Sequence, residues 1–287
     1  MSDQEIPNQV RDDRWAVSGR QCRVRGYFRV KTINKGYTLI ELLIAMFISL
    51  LVTLSVTKFF ITEHHIYSVQ EAKAEIVQTI RGAMNMLSHE LALTGYGIPP
   101  HMKRISKFSG DEIEFMTNLR DIKATLSADT VEGETLLNIK EGNGRSFGLK
   151  DIIIICKNSK FDICEEQILS EDGKTYSIKM ANGLYSAFPA GSTVNLINTI
   201  SYRYNSSKKE VQRKIDRGNW EPVAEHIASD GFSLSYRDTN DGTPLLSSDI
   251  NEIDVSLTVE SFRRDNTFQE NNGYRTKSSK TTITLRN

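Results

Sequence analysis

The chain has 287 residues, 39% hydrophobic and 25% charged, the balance of a globular protein that buries a substantial core. Its formal net charge is zero, which excludes a nucleic-acid binder held by bulk electrostatic attraction. The charge is unevenly placed. Residues 1–36 hold eight Lys/Arg and four Asp/Glu, net +4, which leaves net −4 on residues 37–287.

An apolar run succeeds that basic segment, from Leu39 to Thr57, interrupted only by Glu41, Ser49, Thr53 and Ser55. Its length matches the roughly 20 residues of a spanning helix. Arg20, Arg23, Arg25, Arg29, Lys31 and Lys35 precede it, so the positive-inside bias keeps the N-terminus cytoplasmic and translocates the chain beyond the run. A cleaved secretory signal needs a small-residue site after the run, and Lys58 to His65 offer none. Gly36 lies on the other side of it.

From Tyr37 to Leu93 there is no proline, and Gly82 is the single glycine. Ile66, Val69, Ala72, Ile76, Ile80, Ala83, Leu87 and Leu91 recur at three- and four-residue steps, the spacing of one helical face against a core. Gly95, Gly97, Pro99 and Pro100 mark the stop. A continuous helix over this stretch would be roughly 85 Å long.

Strand signals begin after residue 100. Residues 112–116, 193–198, 200–204, 232–236 and 253–259 alternate or come after turns, and 151–156 reads as a short buried strand. Turns are predicted at 171–174, 205–207 and 238–242, and the polar segment 266–280 reads as a mobile loop. The predicted class is α+β, a long N-terminal helix packed on an antiparallel sheet.

The stretch KGYTLIELLIA, residues 35–45, joins a basic leader, Gly36, an aromatic Tyr37 and Glu41 inside the apolar run. It resembles the type IV prepilin cleavage and methylation signature. MLSHELALTGY (86–96), VAEHI (223–227), FSLSY (232–236) and TITLRN (282–287) are similar to the PilW-type minor pilins; the J-type pseudopilin of type II secretion shares much of this pattern. The resemblance implies a pilin-like fold and a structural role, with no enzymatic activity and no cofactor. It divides the chain into a leader (1–36), a membrane half (37–61) and an amphipathic half (62–95) of the helix, and a β-rich domain outside the cytoplasm (100–287). A prepilin peptidase would cut between Gly36 and Tyr37 and methylate the new amine of Tyr37. Glu41 would neutralise that amine on a neighbouring subunit, since an unpaired charge is expensive in an apolar core. Implied partners are other minor and major pilins, the processing enzyme and the inner-membrane assembly platform; the chain would stay in the inner membrane until assembled at the cell surface. A different reading is a membrane-anchored periplasmic binding or adhesion protein that never polymerises, which would need neither Gly36 nor Glu41. VKTINKG, residues 30–36, reads as a complete short leader, so translation is expected to start at Val30.

Other chemistry is sparse. The five histidines lack zinc-like spacing, and no nucleophile elbow, Walker loop or H-E-x-x-H occurs. Residues 238–249 have the closely spaced oxygens of a calcium loop, but Gly242 falls where a third side-chain oxygen is needed and Asp249 where a bidentate Glu belongs. An Asp-Gly turn is the expectation there. Tyr202, Tyr204 and Tyr236 read as packing residues. Cys22 leaves with the leader. Cys156 and Cys164, an even pair outside the cytoplasm, are expected to form a disulfide; the alternative is two separate buried thiols.

Overall fold

The computed structural model describes residues 36–100, 102–140, 152–157, 160–164, 167–169, 177–180 and 182–285. Residues 1–35 of the leader, with Cys22 and Val30, His101, and the turn expected at 171–174 fall outside the described residues. The chain divides between Lys58 and Phe59 into two units.

Helix α1 runs from Leu39 to Ala92. In the first unit its apolar side chains are exposed along their whole length, and the helix is long and apolar enough to cross a membrane. Three of its hydroxyls are answered within the helix. Thr53, Ser55 and Thr57 each donate to the carbonyl four residues back, all at 2.8 Å, which matches those three hydroxyl protons without water.

In the second unit the helical face Ile76, Ile80, Ala83, Met84, Leu87, Glu90 and Leu91 is buried. The predicted stripe is therefore covered from Ile76 onward. Ile66, at its start, stays 41% exposed. The helix ends on Gly95, whose φ of +83° suits glycine and whose missing Cβ leaves space for the Arg104 side chain. The Gly95 N–H then donates to the Met116 carbonyl at 2.9 Å, joining the helix end to the sheet.

The strands are β1 (Ile105–Phe108), β2 (Glu112–Thr117), β3 (Lys123–Thr125), β4 (Leu136–Asn138), β5 (Ile152–Lys157), β6 (Lys160–Cys164) and β7 (Gln167–Leu169). They continue with β8 (Ser177–Met180), β9 (Thr193–Asn205), β10 (Glu210–Ile215), β11 (Glu221–Ala224), β12 (Ile227–Arg237), β13 (Glu252–Glu260) and β14 (Thr276–Thr284). All pairings are antiparallel. β1-β2-β9-β10-β11 form the path of an eight-stranded sheet, with β3 and β5 also on β9 and β6 on β5; β12-β13-β14 and β4-β8-β7 make two three-stranded sheets.

β9 organises this unit. Its first half pairs with β3 and β5, its second with β2 and β10. Each half serves a different core. The helix, β2, β10 and the β12-β13-β14 sheet share one; Leu126, Leu137, Ile153, Ile155, Ile178 and Phe188 form the other. The two strands expected at 193–198 and 200–204 are thus one strand of 13 residues, because the only polar residue between them, Thr199, keeps the ladder with Met116 intact.

The segment 266–280 also differs from expectation. Residues 276–280 belong to β14, paired in unbroken register with β13. Its Ser, Thr and Lys side chains are polar because they lie on a solvated edge strand, and sequence polarity reads the same way for an edge and for a loop.

Candidate functional site

Thr38 and Glu41 form a reciprocal capping box at the start of the apolar helix. The Thr38 N–H donates to Glu41 Oε2 at 2.9 Å, the Thr38 hydroxyl donates to the same oxygen at 3.1 Å, and the Glu41 N–H donates to Thr38 Oγ1 at 3.3 Å. Such a box satisfies helix N–H groups that have no carbonyl partner. Among the described residues nothing within the chain bonds Oε1 of Glu41. Tyr37 is 89% exposed. A Cβ on Gly36 would meet nothing within 4 Å, so the described residues place no demand for glycine there.

A second polar group ties the helix to the sheet. Glu90, 6% exposed on the last turn of α1, receives Arg213 Nη2 on Oε1 at 2.5 Å and Arg213 Nε on Oε2 at 2.9 Å. This is the two-pronged fork that guanidinium and carboxylate planes favour. Tyr202 donates its hydroxyl to Oε2 at 2.5 Å. Tyr202 and Arg213 are directly opposite on β9 and β10, on the face that carries Ile200 and Val211 into the core. Burial, then the Glu90 charge, push the Tyr202 phenol far above its ordinary range, so it remains a donor. Tyr202, expected to be a packing residue, is both packed and bonded.

Two signals in the sequence point to this group. Arg213 falls on the same strand face as Val211 and Ile215, and Glu90 falls on the apolar helix face between Leu87 and Leu91. Neither identifies the other as its partner, since 123 residues separate them.

The hairpin register separates the two cysteines expected to pair. Cys156 is a free, half-buried thiol. The β5–β6 hairpin pairs Cys156 with Phe161 and Ile153 with Cys164. Three strand steps are about 10 Å, beyond the roughly 7 Å between Cα atoms that a bridge tolerates. Nine residues of sequence looked like a short closable loop, but the register decides the distance. Peptide mapping of unreduced protein should find no Cys156–Cys164 link. Alkylation of Cys156 should be slow, because burial raises its pKa and lowers the thiolate fraction.

The remaining candidates are structural. Asp238 Oδ1 accepts the N–H groups of Asn240 and Gly242, both at 2.8 Å, closing the expected turn on itself. Tyr236 donates to the Ser109 carbonyl at 2.8 Å and Tyr204 to that of Ala228 at 3.4 Å. Among the described residues no three His, Cys, Asp or Glu side chains gather as metal ligands.

The family described as the prokaryotic N-terminal methylation motif matches residues 31–57. No curated protein and no solved structure matches the chain. The matched segment holds Gly36, Tyr37, the capping box and the membrane-length run. It supports a type IV pilin-like protein of a pilus or secretion system, anchored by its N-terminal helix and structural in role. Such a protein works with a prepilin peptidase and with other components of its assembly.

Proposed function

We propose that this chain is a minor pilin, a structural subunit that helps initiate or cap a type IV pilus. Residues 1–36 are its leader, 37–61 its membrane half-helix and 62–95 its amphipathic half-helix. The β-rich remainder lies in the periplasm until assembly carries it to the surface. One observation carries the reading: the methylation motif coincides with an apolar helix whose carboxylate, Glu41, sits four residues from the cleavage point.

The local geometry supports each role. Among the described residues nothing requires glycine at Gly36, which fits a requirement imposed from outside, by a narrow protease cleft that admits bare backbone. Cleavage there frees the amine of Tyr37. Glu41 keeps Oε2 for its own helix start and leaves Oε1 for a neighbouring subunit's ammonium. Once both are in an apolar filament core, leaving either charge unpaired is costly, so the pair sets axial register.

Intact mass of membrane-extracted protein tests the processing. The mature chain should begin at Tyr37 and carry one methyl group on its amine. A mature N-terminus beyond residue 50 would refute the pilin reading.

A further inference from the structure

β13 and β14 are joined by residues 261–275, and this connection is a preformed structure. The Ser261 N–H donates to the Arg275 carbonyl at 2.8 Å, and the Arg275 N–H to Ser261 Oγ at 3.1 Å, which closes its neck. Inside, Asp265 takes the Thr267 hydroxyl at 2.6 Å and Arg275 Nη2 at 2.7 Å, while the Arg275 guanidinium lies 4.6 Å from the Phe268 ring centre. Gly273, at φ +88°, leaves room for the aliphatic stem of Arg264. The Thr267 hydroxyl, its proton given to Asp265, accepts from His65 Nε2 at 3.2 Å. That bond fixes the loop to the start of α1 in the second unit.

Position and chemistry then combine. His65 is six residues past Phe59, about 9 Å along the helix, and Phe59, Phe60 and Ile61 are each more than 60% exposed. An exposed aromatic turn directly after a membrane-length run is where a bilayer interface belongs. Phe262 is 61% exposed with its ring edge-on to His226 at 4.9 Å between centres, Arg263 and Arg264 are exposed, and among the described residues no ion pair engages either arginine. Asp265 is already matched by Arg275. Of the acids nearby, Glu71 and Glu75 on the helix wall lie farther from the aromatic turn than His65, Glu225 lines the same groove, and Glu63 lies two residues before His65 and is half-buried.

We infer that the 261–275 loop docks on the membrane surface, with Arg263 and Arg264 on anionic phospholipid headgroups and Phe262 at the acyl boundary. A basic pair with an aromatic neighbour is the composition such a surface attracts. Because the loop is ordered before contact, little conformational entropy is lost on docking. The docked loop would hold the β-rich unit against the bilayer before extraction into a filament. The inference rests on α1 being the membrane anchor.

The test uses the full chain in vesicles of phosphatidylcholine, with or without phosphatidylglycerol. Cys22, Cys156 and Cys164 are replaced by Ser, and Asn266→Cys carries an environment-sensitive fluorophore. Headgroup spin-labelled lipid should quench the label in the anionic vesicles. Neutralising both arginines (Arg263→Gln with Arg264→Gln) should lower the docked-to-free ratio about 25-fold. Carbonate extraction of the same vesicles reads the anchor separately. Retained chain with equal quenching in both lipids, or quenching indifferent to the arginines, overturns the docking. Quenching protection that grows with protein density in phosphatidylcholine alone assigns the loop to a second copy and also overturns it. Chain released by carbonate overturns the anchoring reading, and the loop's role with it.

Discussion

Glu90→Ala should destabilise the β-rich unit by about 3–5 kcal/mol, the usual cost of breaking a buried ion pair by deleting one partner. Arg213 would keep its charge in a site where its side chain is only 14% exposed, with no carboxylate to receive it. Against a total stability of about 5–15 kcal/mol for a domain, this is a large fraction. Tyr202→Phe removes one hydrogen bond to a charged acceptor and should cost about 1.5–3 kcal/mol. The pair Glu90→Ala with Arg213→Met should recover much of the loss, since an apolar replacement leaves nothing to desolvate. Thermal unfolding in detergent, monitored by circular dichroism, measures all three. A loss below about 1 kcal/mol in Glu90→Ala would show that water reaches Arg213 and that the group is not buried in solution.

Glu41→Gln should leave membrane insertion and Gly36 cleavage intact and lower incorporation into filaments at least tenfold, a floor well inside the more than hundredfold that about 3–5 kcal/mol for one uncompensated buried charge allows. Glutamine separates two roles that alanine confounds. It can still cap Thr38 through its side-chain oxygen, so the helix start survives; capping is worth only about 0.5–2 kcal/mol in any case. What glutamine lacks is the charge that a neighbour's ammonium requires. Removing a charge from an apolar helix also makes insertion easier, so a fall in filament incorporation cannot come from a chain missing from the membrane. Immunodetection in sheared filaments against the membrane fraction gives the ratio. Wild-type incorporation of Glu41→Gln would reduce Glu41 to a helix cap.

The sequence alone determined whatever depends on neighbours along the chain. The apolar run, the Gly36–Glu41 spacing, the helix end at Gly95 and the alternation Ile253, Val255, Leu257, Val259 are local patterns, and helix and strand periods translate them directly into faces. Contacts between distant residues were another matter. Glu90 and Arg213 each look misplaced on an apolar face, and only the packing of α1 against β9 and β10 makes one the answer to the other. Cys156 and Cys164 are close in sequence, yet a hairpin that pairs Ile153 with Cys164 keeps them apart. Polarity at 276–280 could not separate a loop from an edge strand, because β14 presents those side chains to water while its backbone pairs with β13. Periodicity fixes which way a side chain faces, whereas register and packing decide what it meets. Those depend on the whole tertiary arrangement, in which loop closure and burial are settled together.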